Sequence, residues 1–227
     1  MSKNTVSDYR TLGFVLMRTN YGEADRILNI ITPNGKVSAI ARGARKSKSK
    51  LAGGIELFSQ IDFNIHHGKG DLDVVTGAKM LKYYGEIMKD FERMELAGRI
   101  LKKINRASEN SDSQLYYDIV EQCFEALDVK MDNRIIDGWF YLNLRRAMGE
   151  EMNLYRDNNG NILDESKRYN WDSFSEEFNE NENGWYGANE IKLLRIMSTM
   201  KLKMIRKIKL DEEVLIKASE VIRMAKS

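Results

Sequence analysis

The sequence predicts an α+β protein in which a small β-barrel precedes an all-helical domain. Two observations lead to this prediction. Apolar and polar residues alternate in short runs through the first 80 residues, which is the period of half-buried strands. From about Tyr84 the apolar residues recur every three or four positions, which is the period of amphipathic helices. We therefore place two domains at 1–82 and 83–227, with an irregular insert at 150–187 that is rich in Asn, Asp, Glu and Gly.

Five short strands are predicted in the first domain. They lie at about 12–17, 27–31, 37–41, 61–66 and 72–76. The tetrad Thr32-Pro33-Asn34-Gly35 suits a type I turn, because proline presets the second position and Asn and Gly suit the last two. Strands of this number and length pack naturally as a Greek-key barrel of the OB type, since closure removes exposed sheet edges. A small SH3-like barrel fits the strand count almost as well.

The second domain is predicted to consist of helices separated by the insert. Apolar residues recur at helical spacing in five stretches, at 87–104, 115–127, 135–144, 191–197 and 214–222. Asp112 and Asp211 precede the second and the last stretch, where an aspartate commonly accepts hydrogen bonds from the first free backbone N–H groups. The sequence contains no internal repeat.

Charge is distributed unevenly along the chain. Residues 1–80 hold 12 Lys and Arg against 7 Asp and Glu, whereas the remainder holds 24 against 27. This asymmetry indicates that the first part meets a polyanion while the second part does other work.

Targeting signals are absent from the pattern. The first ten residues lack the apolar core of a signal peptide, and no apolar run approaches the roughly 20 residues that span a bilayer. The single cysteine, Cys123, fits a reducing compartment. We therefore expect a cytosolic protein.

The most informative segment is a basic loop between the third and fourth predicted strands. It combines five cations with no acid, and Gly and Ser residues keep it open: Arg42, Arg45, Lys46, Lys48 and Lys50. Such side chains can follow a phosphate backbone, and each neutralised phosphate releases counterions, which makes binding salt-dependent. The alternative interpretation is a solvated loop that only aids solubility. The unbalanced charge of this domain favours a nucleic-acid site.

Other residues are candidates for the same or a second surface. Arg18, Arg26 and Lys36 are expected to add to the first face, and Tyr21 is a candidate for stacking on a base. A lone tyrosine near a turn more often packs on its own domain. A second basic cluster lies in the helical domain and contains Lys201, Lys203, Arg206 and Lys207. It would extend the nucleic-acid path, hold an acidic peptide tail or form a solvated face.

No catalytic set emerges from the sequence. Gly68-Lys69-Gly70 lacks the spacing of a Walker loop, and no acid–base pair stands out. His66 and His67 are neighbours in a predicted strand and would point to opposite faces, which makes them a poor metal pair. We expect a protein that is not an enzyme and that needs no cofactor or metal.

Several short pieces of the first domain occur in a specific order and spacing. They are GFVL at 13–16, YGEADRIL at 21–28, TPNGK at 32–36, ARGARKSKS at 41–49 and LF at 57–58. Together they resemble the RecO family of DNA repair and recombination mediators. The resemblance implies an N-terminal OB-fold, a helical C-terminal domain, and binding of single- and double-stranded DNA. It also implies annealing of strands coated with single-strand-binding protein, and partnership with RecR in loading the recombinase RecA.

One departure from that family concerns zinc. Many members carry a four-cysteine site that opens with Cys-x-x-Cys-Gly, and here Arg156 and Asn159 stand where cysteines would be. Zinc therefore cannot be held in the usual way. We expect aromatic side chains that pack onto the helices to hold the insert instead, namely Trp171, Phe174, Phe178 and Trp185.

Two other functions remain open at this point. The helical domain would act as a protein-interaction scaffold if it grips an acidic partner tail. The barrel would equally serve an RNA-binding protein.

Overall fold

A computed structural model describes residues 8–68, 70, 72–109 and 114–226. The chain divides into two compact units between Val129 and Lys130. The change from strands to helices lies near residue 83, as expected, but the first compact unit continues through two helices beyond it. The predicted boundary at 82/83 therefore marks a change of secondary structure and not the edge of a compact unit.

The first unit contains the five predicted strands, arranged as an OB-type barrel. They are β1 Asp8–Tyr21, β2 Asp25–Thr32, β3 Gly35–Ala41, β4 Ser59–His66 and β5 Asp73–Tyr83. Their order around the sheet is β1-β2-β3-β5-β4, and β4 returns antiparallel to β1. The shortest pairing is the parallel one between β3 and β5, which joins Ala39 with Asp73 and Ile40 with Val74. This five-stranded Greek-key order selects the OB type over the SH3-like alternative.

The barrel interior follows from the alternation in the sequence. Alternate residues of β2, β3 and β4 face inward, and the buried set includes Leu28, Ile30, Ala39, Ile61, Phe63 and Ile65. The turn predicted at 32–35 joins β2 to β3, where the Thr32 hydroxyl donates to the carbonyl oxygen of Gly35 at 2.8 Å. The predicted strand pattern is thus confirmed.

Two helices complete the first unit, α1 at Phe91–Ala107 and α2 at Gln114–Asp128. The Asp90 side chain accepts from the backbone N–H of Arg93 at 2.9 Å and starts α1. The apolar repeat predicts a start near Ile87, which instead lies in a short 3-10 helix at Gly85–Lys89. Phe91, one of the apolar residues at helical spacing in the predicted stretch 87–104, is 73% exposed and does not pack on the core. Asp112, the expected cap of α2, lies outside the described residues.

An aromatic cluster holds α2 against the outside of the barrel. Phe14 of β1 lies 5.3 Å from Tyr117 and 5.6 Å from Phe124 between ring centroids. Phe58 and Tyr84 pack on Phe124 from two other sides, at 5.8 and 5.5 Å. Burial raises the pKa of Tyr117 to about 12. Because Phe14 faces this cluster while Val15 faces the barrel interior, both sides of β1 are buried here.

The second unit is helical with one small sheet. Its helices are α3 Asn133–Ala147, α4 Ala188–Thr199, α5 Leu202–Ile205 and α6 Glu212–Met224, and its strands are β6 Tyr169–Asp172 and β7 Glu177–Glu180. Asp211 accepts from the backbone N–H groups of Glu213 and Val214 at 2.9 and 3.2 Å. The predicted cap of the last helix is therefore confirmed.

The insert is more regular than predicted, because β6 and β7 form an antiparallel hairpin inside it. Trp171 and Phe178 are buried and lie 5.0 Å apart between ring centroids. The other two expected anchors do not fill this core. Phe174 is fully exposed, since it lies in the turn beyond the strand ends, and Trp185 is 55% exposed with the Lys217 ammonium 4.7 Å above its ring. Packing onto the helices was predicted for all four rings, and it is wrong for Phe174. Trp185 does contact α6, since its Nε1–H donates to the Glu220 carboxylate at 3.2 Å, whereas Trp171 and Phe178 pack on each other in the hairpin.

The segment that corresponds to the zinc site of many RecO proteins forms a turn here, and the Asp157 carboxylate holds that turn. Asp157 accepts from the backbone N–H groups of Asn159 and Asn161 at 2.9 and 2.8 Å, while Arg156 donates to the Gly160 carbonyl oxygen at 2.7 Å. A guanidinium has no lone pair to offer a metal, so these residues do not fit zinc. Across the described ranges, no three His, Cys, Asp or Glu side chains are grouped to hold a metal ion.

Candidate nucleic-acid interface

The predicted basic loop follows the end of β3 and is anchored at two points in the barrel. Ala44 is buried in the barrel core, and Leu51 packs against the same core. The stretch between them faces solvent. Two apolar anchors therefore hold the ends of a cationic surface segment, which keeps the charged side chains outside.

The loop is a series of hydrogen-bonded turns and is less open than the sequence suggested. The backbone N–H of Lys46 donates to the Gly43 carbonyl oxygen at 3.1 Å, and that of Ser49 donates to the Lys46 carbonyl oxygen at 3.0 Å. The Ser49 hydroxyl in turn accepts from the Leu51 N–H at 3.2 Å. Gly43 has a φ of 65°, a value that favours glycine over other residues. The backbone of the loop is thus fixed locally by Gly and Ser.

All five cations of the loop are exposed, and none makes an ion pair in the part of the chain that the structure describes. The Arg45 guanidinium donates instead to the backbone carbonyl oxygen of Gly22, at 3.3 Å. Exposed cations so close in sequence add their potentials, and they attract a polyanion more strongly than any one of them would. The positive charge of the loop is therefore not balanced by ion pairs within the described residues.

A second loop lies against the first. Tyr21, the last residue of β1, is 55% exposed, and Glu23 in the turn between β1 and β2 is exposed as well. The Asp25 carboxylate accepts from the backbone N–H of Gly43 at 2.7 Å, and the N–H of Arg45 donates to the Ala24 carbonyl oxygen at 2.8 Å. We call residues 21–26 and 42–50 together the basic face. It combines six cations and two acids with one exposed aromatic ring.

The far end of the loop fits closely against β5. Residues 52–54 form a single 3-10 turn, and a Cβ added to Gly54 would lie 2.4 Å from the Ala78 carbonyl oxygen. A side chain at this position would push the turn away from the strand. Because Gly54 has no side chain, the chain can return to β4 close beside the barrel wall.

The other predicted cations of the first unit differ in their surroundings. Arg18 donates to the Glu56 carboxylate at 2.9 Å, and Lys36 donates to the Asn105 carbonyl oxygen at 2.7 Å and lies 3.5 Å from Glu109. Both are therefore engaged within their own unit, and the structure does not place them on the basic face. Arg26 is half-buried and belongs to the basic face, where it pairs across the sheet with Asn20 and Ala41.

The second basic cluster lies in and after α5, in the other compact unit. Its four predicted cations are all exposed: Lys201, Lys203, Arg206 and Lys207. The apolar residues between them divide, since Leu202 and Ile205 are buried whereas Met204 and Ile208 are partly exposed. The cluster thus combines cations with some exposed apolar surface.

The sequence of the barrel matches a known family. Residues 6–84 match the model described as "Recombination protein O N terminal". The barrel of this chain is therefore similar to the N-terminal domain of RecO proteins. This match includes all five strands and the whole basic face, and it ends just before α1.

Individual RecO proteins are similar over more of the chain. A DNA repair protein RecO of Roseiflexus sp. (strain RS-1) is 32% identical over 148 residues, which are 65% of this chain and 52% of that protein. Those of Rubrobacter xylanophilus and Bifidobacterium longum (strain DJO10A) are 32% and 38% identical over 121 and 112 residues. These two alignments cover 53% and 48% of this chain, and 48% and 46% of the relatives. The chain spans about half the length of the curated relatives it matches.

Sequence reasoning found the cations of the basic face but missed the residue that joins its two loops. Asp25 lies in the stretch that carries the family resemblance, yet an acid beside a basic loop gives no signal of its role.

Among the helices of the described residues, none is long and apolar enough to cross a membrane.

Proposed function

We propose that this chain binds DNA and acts as a repair and recombination mediator. The observation that carries the proposal is the basic face, in which five exposed cations share a structured loop and meet no carboxylate partner among the described residues. The similarity of residues 6–84 to the N-terminal domain of RecO proteins supports the same function. Phosphate contacts of this kind position a protein on nucleic acid without reading its sequence.

The proposed mechanism is neutralisation of the phosphate backbone. Cations spaced along one loop lower the repulsion between two complementary strands, which lets the strands approach and pair. Single- and double-stranded DNA would both bind, since both present phosphates. Annealing of strands coated with single-strand-binding protein, and recombinase loading together with RecR, are further parts of the proposal that the family resemblance supports.

The first test is the binding of labelled DNA and RNA oligonucleotides across a salt series. If about five phosphates are neutralised, the slope of log K against log salt should lie near −3 to −4 for single strands, at about −0.7 per phosphate. DNA should compete as well as RNA or better. Absence of binding at low salt, or a slope near zero, would contradict the proposal, and a clear preference for RNA would favour the RNA-binding alternative.

A strand-annealing assay tests the mediator step. Complementary labelled strands, bare and coated with single-strand-binding protein, should pair faster when this protein is added. The acceleration should fall as salt rises, in parallel with binding. Binding without any acceleration of annealing would leave a DNA-binding protein and contradict the proposed mechanism.

Replacing Tyr21 by alanine is expected to weaken single-strand binding selectively. Stacking of one base on an aromatic ring contributes about 1–3 kcal/mol, so the loss should lie between about fivefold and a hundredfold, with little change for double strands. Tyr21→Phe keeps the ring and should bind like the wild type. Equal weakening by the alanine and phenylalanine variants would show that the ring does not stack.

The basic cluster of the second unit favours one alternative function. Four exposed cations beside the exposed Met204 and Ile208 suit a peptide that is both acidic and apolar. In that case the second unit would bind a partner protein while the barrel binds DNA. Binding of an acidic peptide that survives charge reversal in the basic face would support this division.

A further inference from the structure

We infer that Asp25 is a positioning residue for DNA binding, which it serves by holding the basic loop against the β1–β2 turn. The inference rests on the proposed function. An acid beside a phosphate-binding surface repels phosphate, so its presence there needs another explanation. The geometry supplies one, because the carboxylate acts through the backbone of the loop.

Asp25 is the first residue of β2, and it pairs across the sheet with Tyr21, the last residue of β1. Its carboxylate oxygen Oδ1 accepts from the backbone N–H of Gly43 at 2.7 Å. Gly43 lies between Arg42 and Ala44, where the chain leaves β3. Asp25 therefore controls the point at which the basic loop begins.

A second hydrogen bond acts in the same place. The backbone N–H of Arg45 donates to the carbonyl oxygen of Ala24 at 2.8 Å, and the Arg45 guanidinium reaches the Gly22 carbonyl oxygen at 3.3 Å. Three hydrogen bonds thus join the two turns, and their donors belong to Gly43 and Arg45 of the loop. The contact made by Asp25 is the shortest of the three at 2.7 Å, and hydrogen bonds to a carboxylate are among the stronger kinds.

The functional consequence is preorganisation. With the two turns joined, Arg42 and Arg45 keep a fixed relation to the exposed ring of Tyr21. A ligand that contacts both turns then binds a surface that is already ordered, because the conformational entropy of the loop was lost on folding and not on binding. Without the Asp25 contact, DNA would have to order the loop on binding.

Two substitutions separate this role from simple electrostatics, because the two explanations predict opposite signs. Asp25→Asn removes the charge but keeps an oxygen that can accept from Gly43. Asp25→Ala removes both. If the acid only repels phosphate, both variants should bind an oligonucleotide more tightly than the wild type. If it positions the loop, D25A should bind about fivefold to tenfold more weakly, whereas D25N should bind as well as the wild type or better.

Glu23 provides the matched control. It is an exposed acid two residues away, in the turn between β1 and β2. Glu23→Ala removes the same charge from the same face and should tighten binding, which is the opposite of D25A. Salt slopes should stay equal in all variants, since none of them removes a cation.

Hydrogen exchange of the Gly43 amide gives a readout that does not depend on DNA. This amide should be protected in the wild type, and D25A should lose that protection while melting as one cooperative transition. If D25A proved too unstable to assay, an unprotected Gly43 amide in the wild type would overturn the inference, and a protected one together with full binding by D25N would support it.

The failures of the two proposals are distinguishable. A wild type that binds no oligonucleotide overturns the proposed function and this inference with it. A wild type that binds, combined with a D25A variant that binds equally well or more tightly, overturns only the positioning role. Weakening of D25N to the level of D25A would also overturn it, because the charge and not the hydrogen bond would then matter.

Discussion

Replacement of Lys46, Lys48 and Lys50 by glutamate should weaken oligonucleotide binding by on the order of a hundredfold at low salt. Each lysine lost from a phosphate lowers the salt slope by about 1, so the slope of the triple variant should be flatter by about 2 to 3. The loss should be nearly the same for every DNA sequence, because phosphate contacts carry no base information. Fluorescence anisotropy across a salt series measures both quantities.

These three lysines suit the test because their side chains do not support the fold. All three are exposed, and none makes an ion pair within the described part of the chain. Exposed substitutions of this kind change stability by about 0.5 kcal/mol or less each, so the variant should melt near the wild type. A loss of binding can then be assigned to the surface and not to unfolding.

The matched control reverses three cations of the second unit. Lys201, Lys203 and Lys207 are exposed as well, and their reversal changes the net charge of the chain by the same amount. We expect this variant to keep most of the affinity and the slope of the wild type. If the control lost binding and the loop variant did not, the DNA-binding surface would lie in the second unit and the basic face would be a solvated loop.

The sequence predicted those parts of the molecule that depend on neighbouring residues. Strand alternation and the Thr32–Gly35 turn are local signals, and the structure reproduces both. The basic loop was equally visible, because five cations without an acid form a local pattern. The Asp211 cap belongs to the same class, since the cap and its donors are within three residues.

Pairing between distant residues was beyond such reasoning. Lys36 meets Asn105 across 69 positions, and Arg18 meets Glu56 across 38. Both looked like free cations because a sequence shows charge but not its partner. Asp25 was invisible for the converse reason, since its partner is a backbone N–H that every glycine possesses.

The hairpin of the insert escaped prediction because its strands are short. β6 and β7 contain four residues each, which is too few for alternation to stand out from the surrounding polar residues. Aromatic content indicated that rings would hold the insert, and two of them are buried in the hairpin. It did not indicate which rings enter the core, because the turn that exposes Phe174 has no distinct signature.

The barrel is expected to need α2 for its stability, because Phe124 of α2 packs against it. This matters for any experiment on the isolated barrel. Phe124 is fully buried, and its ring packs on Phe14, Phe58 and Tyr84. Replacing it by alanine should lower the free energy of unfolding by about 3–5 kcal/mol, the cost of a large cavity in an aromatic core. Chemical denaturation followed by fluorescence and circular dichroism measures this loss.

Phe91→Ala is the control for that measurement, because the same residue type is 73% exposed there and its truncation should change stability by about 0.5 kcal/mol or less.

Truncated chains test the same dependence of the barrel on its helices. A fragment that ends at Lys82 lacks α1 and α2 and exposes Phe14, so it should aggregate or stay unfolded, whereas one that ends at Val129 should fold cooperatively and bind DNA. Cooperative folding of the shorter fragment, with a Phe124→Ala variant as stable as Phe91→Ala, would show that the barrel does not need the helices that pack on its outer wall.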